Sequence, residues 1–223
     1  PPRSTQSRSS AASDVYKRQH IWIPTTYQGA PTDSVAFFST VPKIAGFAAL
    51  CHVFKWTNEL FNPFLENLIL FLAIVTLLWG TLCALRQTDI KRMLSYGAMA
   101  HSGFILPLCL FVETYDVFKF YVVFYAIINI LAFLFVQLHE NEGENISLSK
   151  FSGLGLKFPY LGGISVVWSI SLVGLPPTGG FMAKLFLFST AWNYYESMNS
   201  LYWLTFIGLG ILSSAASIYF YLR

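Results

Sequence analysis

The sequence predicts an all-α, polytopic bundle of transmembrane helices with about six crossings, one of them broken. Three observations carry that prediction. Hydrophobic residues fill 55% of the 223 positions and charged residues only 11%, at a mean hydropathy of +0.54, too apolar and too poor in charge to solvate a globular surface. Apolar windows near 20 residues, the length that crosses a hydrocarbon core of about 30 Å, recur along the chain. Two of these windows hold a lysine in their middle, Lys43 and Lys184. A charge at that depth costs roughly 2.5 to 3.5 kcal/mol on insertion scales, so it marks a pathway more often than a scaffold.

Residues 1–19, PPRSTQSRSSAASDVYKRQ, stand outside this pattern. They are polar, rich in Ser and Arg, and lack apolar periodicity. Their ending, SAASDVYKRQ, looks like translated sequencing-adapter sequence. They are expected to be a non-native or disordered leader, residues 20–223 to be the membrane domain, and the chain to be a fragment. Within that domain the crossings run roughly 32 to 54, 64 to 85, 91 to 112, 117 to 138, 160 to 195 and 200 to 222.

The fifth window is too long for one helix. Its roughly 36 residues would reach about 54 Å, well beyond the hydrocarbon core. Gly174, Pro176, Pro177, Gly179 and Gly180 mark the break. Proline removes a ladder hydrogen bond and glycine relaxes the backbone. At membrane depth such backbone is tolerated only where it is buried in protein or lines a wet cavity, as in the discontinuous helices of transporters.

Counting crossings puts Arg86, Lys91, Arg92, Lys150, Lys157 and Arg223 on one side and Lys55 and Lys119 on the other. By the positive-inside rule the first side is cytoplasmic. Asp89 and the run Glu140, Glu142 and Glu144 share it, whereas Glu59, Glu66, Glu113, Asp116 and Glu196 are external. Lys91 and Arg92 are expected to anchor the third helix at the cytoplasmic face rather than to bind nucleic acid. Gly208, Gly210, Ser214 and Ser217 offer close packing on the last helix, and Tyr125 with Asn129 reads as interhelical hydrogen-bond glue. Cys51, Cys83 and Cys109 lie in apolar runs at no ligand spacing and read as small core hydrophobes.

The chemistry centres on three side chains. Desolvation disfavours an ammonium and a nearby carboxylate favours it, so a lysine balanced between the two can take or release a proton when its partner moves. Lys43 lies about 11 residues from both ends of its window, too deep to snorkel comfortably to the interface. For Lys184 a contact to carbonyls freed at the break can coexist with proton transfer. No carboxylate lies mid-helix, so any carboxylate partner of Lys43 is expected from outside this sequence. His101, among the small residues Ala98, Ala100, Ser102 and Gly103, is suited to bridge the lysines or, equally, to bond a neighbouring helix. His52 points roughly opposite Lys43 on a helical wheel and is discounted.

Four motifs then carry a resemblance: HIWIPTTYQGAPT at 20–32, STVPKIAGFAAL at 39–50, ALRQTDIKRMLSYGAMAHSGF at 84–104 and GLPPTGGFMAKLFLF at 174–188. In this order they resemble the antiporter-like membrane subunits of respiratory complex I, over nearly everything outside the leader. The resemblance implies a fold of 14 transmembrane helices with two inverted five-helix repeats, each holding one broken helix. The crossings here would match helices 8 to 13 of that fold, with HIWIPTTYQGAPT the tail of broken helix 7. Lys43 would match the helix 8 lysine and Lys184 the helix 12 lysine; the family's helix 7 lysine and helix 5 glutamate are absent. Thr25 stands where the family usually has Asp, and Gln19 where it has Phe.

The function so implied is a proton-translocating subunit of NADH:quinone oxidoreductase, working along a lysine, histidine and water axis through Lys43, His101 and Lys184. The resemblance implies a multi-pass location in the bacterial plasma membrane beside the other membrane subunits of complex I. NADH, FMN, iron–sulfur clusters and quinone are expected elsewhere in that complex, and no cofactor on this chain, which shows no nucleotide loop, metal cluster or nucleophile triad. A subunit of a multisubunit cation/proton antiporter is the alternative. A purely structural spacer is disfavoured, since apolar residues in place of both lysines would stabilise it.

Overall fold

In lipid an apolar segment of about 20 residues satisfies its backbone polar groups by forming its own helix, and the apolar windows fold accordingly. The computed structural model describes residues 22–56, 63–110, 114–138, 148, 158–198 and 200–222. Every regular element among them is helical: α1 (Trp22–Gly29), α2 (Thr32–Trp56), α3 (Pro63–Leu85), α4 (Ile90–Ile105), α5 (Tyr115–Gln137), α6 (Pro159–Val173), α7 (Gly179–Met198) and α8 (Leu201–Leu222). The leader expected at 1–19 lies outside the described residues, as do Glu59, Glu113, Glu140, Glu142, Glu144, Lys150, Lys157 and Arg223.

Four helices, α2, α3, α5 and α8, are long and apolar enough to cross a membrane unaided. The third expected crossing is composite. α4 has 16 residues and is prolonged by a four-residue 3-10 turn, Leu106–Cys109, for a combined reach of about 32 Å. The fifth is the broken pair α6 and α7, interrupted over 174–178. Gly179 and Gly180, expected in the break, instead open α7. A side chain at Gly180 would run into the Ser171 carbonyl of α6, so the glycine permits the two half-helices to pass in contact.

The start of α4 departs from the expectation. Asp89 caps it, its Oδ1 accepting from the backbone N–H of Lys91 at 3.0 Å and of Arg92 at 3.4 Å, while Gln28 Nε2 donates to Oδ2 at 2.9 Å. Lys91 is only 4% exposed and its Nζ donates to the Ala30 carbonyl at 3.2 Å. The lysine therefore joins α4 to the end of α1 instead of anchoring it in the interface. A carbonyl at a helix end is a good acceptor for a cation.

Two apolar clusters form the interior. One gathers Leu70, Leu77, Phe104, Tyr121, Leu187 and Phe206; the other Tyr27, Val35, Leu94, Phe133, Leu172 and Phe220. Their boundary falls between Tyr96 and Ala98 on α4, between Tyr125 and Ile128 on α5, and between Val173 and Ala183 across the break. Polar side chains collect along this seam. Asn129 Nδ2 donates to Ser39 Oγ at 2.8 Å and Thr40 Oγ1 at 2.9 Å, and Thr81 Oγ1 meets Ser213 Oγ at 2.6 Å. These pairs join α5 to α2 and α3 to α8, the hydrogen-bond glue of membrane helices.

The small residues of α8 divide. Gly210 packs against Phe188 and Phe104, and Ser213 and Ser217 are buried, whereas nothing lies within 4 Å of the Cβ position at Gly208. Cys51 and Cys109 are buried in the first cluster, and Cys83 is half-buried beside the second. Outside, Phe37, Phe71, Trp79, Ile127 and Ile211 are exposed, a surface suited to acyl chains rather than water.

Candidate functional site: the buried cations at the helix break

The double proline determines where the freed backbone lies. An α-helix continuing past Val173 would satisfy the carbonyls of Leu172 and Val173 with the N–H groups of residues 176 and 177, and both are prolines without that donor. α6 instead ends at Gly174, whose φ of 82° places it in the left-handed region that glycine adopts freely. The N–H groups of Gly174 and Leu175 both turn back to the Ile170 carbonyl, at 2.9 and 3.2 Å.

Lys184 fills the gap. It lies in the second turn of α7, and since helical side chains lean toward the N-terminus, it reaches back over the break. Its Nζ donates to the Val173 carbonyl at 2.6 Å and the Leu172 carbonyl at 3.3 Å. The Phe104 ring centroid lies 5.3 Å from the same nitrogen. Lys184 is 6% exposed. A hydrogen bond to a charged group contributes about 1.5 to 3 kcal/mol, and the negative end of a helix dipole adds about 0.3 to 2. Those terms are of the same order as the cost of placing an ammonium at this depth. A Cβ at Gly174 would stand 2.9 Å from Lys184 Cδ, so glycine also makes room for the lysine stem.

His101 stands across from it. It is 8% exposed, its Nδ1 is 2.9 Å from Tyr121 Oη, and its ring lies 5.1 Å from that of Tyr125. His101 and Lys184 together line two small cavities of about 10 Å³ each, at the lower end of the room one water needs. The first is shared with Tyr121, Tyr125 and Ser171, the second with Thr81, Ser213 and Ser217. The histidine thus does bond a neighbouring helix, and that bond leaves it beside Lys184.

Lys43 reaches α4 from α2. Its Nζ donates to the Ala98 carbonyl at 3.1 Å, one helical turn before His101. The side chain is half-buried rather than enclosed, and Ser102 Oγ donates to the same carbonyl at 3.0 Å. One turn before Lys43, the Asn129 contacts to Ser39 and Thr40 hold that stretch of α2. Neither lysine has a carboxylate within ion-pair distance among the described residues. His52 is exposed, in keeping with its discounted place on the wheel.

All three expected residues therefore converge on one face of α4, in the polar seam. Tyr121 and Ser171 were not singled out from the sequence. Tyr121 could have been found, for it lies one turn before Tyr125, whose stripe the sequence already showed. Ser171 carried no such signal. Among the described residues no cluster of His, Cys, Asp and Glu could hold a metal ion.

The chain is similar to several known proteins. The chain is 39% identical over 208 residues to NADH-quinone oxidoreductase subunit N of Trichlorobacter lovleyi, covering 92% of this chain and 41% of that protein. It is 37% identical over 206 residues to subunit N 1 of Solibacter usitatus, covering 91% and 41%. It thus spans about two-fifths of the length of these curated relatives. A chain of respiratory complex I from Thermus thermophilus superposes with a TM-score of 0.74 at 33% identity, over 91% of this chain and 43% of that one. A chain of an archaeal membrane-bound sulfane sulfur reductase shares the fold, with a TM-score of 0.78 at 23% identity over 92% and 41%. The NADH:quinone oxidoreductase/Mrp antiporter transmembrane family model matches residues 18–212. With four helices able to span a bilayer, a broken pair and a buried lysine at the break, this multi-pass membrane chain belongs to that family.

Proposed function

We propose that residues 20–223 act within a proton-translocating membrane subunit of NADH:quinone oxidoreductase, complex I, as part of an axis running from Lys43 through His101 to Lys184. The observation that carries the reading is Lys184 itself: a buried amino group at the seam of the bundle, held by two carbonyls that a double proline has freed, and sharing water-sized cavities with a histidine. A group so placed can lose its proton without leaving a buried charge unpaired. It can regain the proton when the field around it changes, because the carbonyls remain to receive it.

In this reading the redox groups of the complex, NADH, FMN, iron–sulfur clusters and quinone, are held by other subunits. The chain contributes proton transfer and contacts to neighbouring membrane subunits. The bacterial relatives named as subunit N support a place in a bacterial plasma membrane, and they favour complex I over a cation/proton antiporter.

The test uses the full-length subunit in the assembled complex, reconstituted in proteoliposomes. Lys184→Ala should leave assembly intact and reduce NADH-driven proton uptake about tenfold or more, the effect of losing roughly 1.4 kcal/mol or more of transition-state stabilisation. Wild-type uptake by the assembled variant would reject the relay. Sodium-dependent proton flux without NADH would point to the antiporter instead.

A further inference from the structure

We propose that Tyr121 is a positioning residue for His101: its hydroxyl oxygen accepts from Nδ1–H, so that Nε2 is the nitrogen through which His101 exchanges a proton with the Lys184 side of the cavity. This rests on the relay reading above. The geometry that supports it is a buried contact between α4 and α5, Nδ1 to Oη at 2.9 Å. The Tyr125 ring holds the imidazole from a second side at 5.1 Å. A cavity lined by both tyrosines, His101 and Lys184 completes the arrangement.

A phenol can donate or accept, and the two possibilities differ in consequence. Were Tyr121 to donate to Nδ1, neutral His101 would carry its hydrogen on Nε2 and have no free lone pair toward the cavity. With Tyr121 as acceptor, neutral His101 has a bare Nε2. A proton leaving the Lys184 ammonium then ends on Nε2; Lys184 becomes a neutral amine and His101 an imidazolium, and the Nδ1–H bond to Tyr121 is unchanged throughout. The fixed contact at one nitrogen spares the site any reorganisation as charge passes through the other.

The titratable groups facing His101 are Tyr121 and Tyr125 of α5, Lys184 of α7 and Tyr221 of α8, all lining its two cavities, while Lys43 of α2 reaches the same face of α4 at Ala98. Removing the Tyr121 oxygen deprives the imidazolium of an acceptor, so His101 would need a more acidic medium to carry the proton.

The experiment compares Tyr121→Phe, His101→Ala, the double variant and Lys184→Ala in the assembled complex, measuring proton uptake against pH. Tyr121→Phe should lower uptake about tenfold or more, by roughly the worth of one hydrogen bond to a charged group, and move the pH profile toward acid. In the His101→Ala background the same change should cost nothing further. Equal proportional losses in both backgrounds, or a wild-type profile in Tyr121→Phe while Lys184→Ala is impaired, would overturn the positioning role and leave the relay standing. Wild-type uptake in Lys184→Ala would remove the relay and this inference with it. A measurement independent of variant assembly is the nitrogen-15 spectrum of His101 in the full complex with the subunit's other histidines replaced. A protonated Nδ1 and bare Nε2 in the neutral ring are expected, and the opposite tautomer would refute the proposal.

Discussion

Lys184 and Lys43 occupy the same polar seam under different backbone conditions. Lys184 faces a helix end. Two prolines have withdrawn the donors from the carbonyls of Leu172 and Val173, and the lysine takes both at 3.3 and 2.6 Å. Lys43 faces an intact helix and obtains a single carbonyl, that of Ala98, at 3.1 Å and shared with Ser102. Lys184 is enclosed and Lys43 half-open. A helix break is thus a means of making acceptors away from bulk water, and it allows a cation to be buried without a carboxylate. On an unbroken helix a lysine must depend on an acceptor already committed to the ladder. Such a site is suited to a partner from a further segment of polypeptide.

The strongest way to break this comparison is to keep the charge at 184 and remove its ability to cycle. Lys184→Arg retains the hydrogen bonds to α6, but guanidinium does not deprotonate in proteins, so proton uptake should fall about tenfold or more at matched assembly. Uptake near wild type would mean that Lys184 serves as a fixed counter-charge to the freed carbonyls.

Next in size is the packing of the break itself. Gly180→Ala places a methyl against the Ser171 carbonyl and should separate α6 from α7 at a cost of about 1 to 3 kcal/mol. The expected readouts are a lower thermal midpoint and a partial loss of uptake. An unchanged midpoint would show that the half-helices need not touch for Lys184 to be held.

Lys43→Ala should cost less, about fivefold in uptake, since it surrenders one shared hydrogen bond worth about 1 kcal/mol. A loss equal to that of Lys184→Arg would erase the distinction between the two sites. The smallest effect is expected at His52, which is exposed. His52→Ala should pump as wild type does, and a loss there with none at Lys43 would mean that the face of α2 had been chosen wrongly.

Tertiary structure changed the reading most where partners are distant in sequence. The position of the break was visible because proline and glycine act on their own backbone, and the depth of each lysine because helix length follows from residue count. Lys91 was assigned to the interface because a basic pair at a helix start resembles an anchor. Its burial against Ala30 depends on α1, 61 residues away, lying alongside α4. Gly208 and Gly210 look equivalent in sequence, yet only Gly210 faces a neighbouring helix. Of the pair read as glue, Asn129 bonds Ser39 and Thr40, partners the pattern could not name, whereas the Tyr125 hydroxyl is buried with no hydrogen-bond partner among the described residues.

By itself the sequence determined an all-helical membrane bundle, an interruption beginning at Gly174, and the presence of two deep lysines and a histidine. Each of those depends on apolar run length, on missing N–H groups or on the cost of a charge in hydrocarbon, all local quantities. Only the tertiary structure decided that Lys184 would meet the carbonyls of Leu172 and Val173, that Lys43 would reach Ala98, and that Tyr121 would hold His101. Those contacts join α7 to α6, α2 to α4 and α4 to α5. A helix constrains the direction of its side chains but not the identity of the helix packed beside it; that choice is made by the whole bundle when it buries its apolar clusters and leaves the polar seam between them.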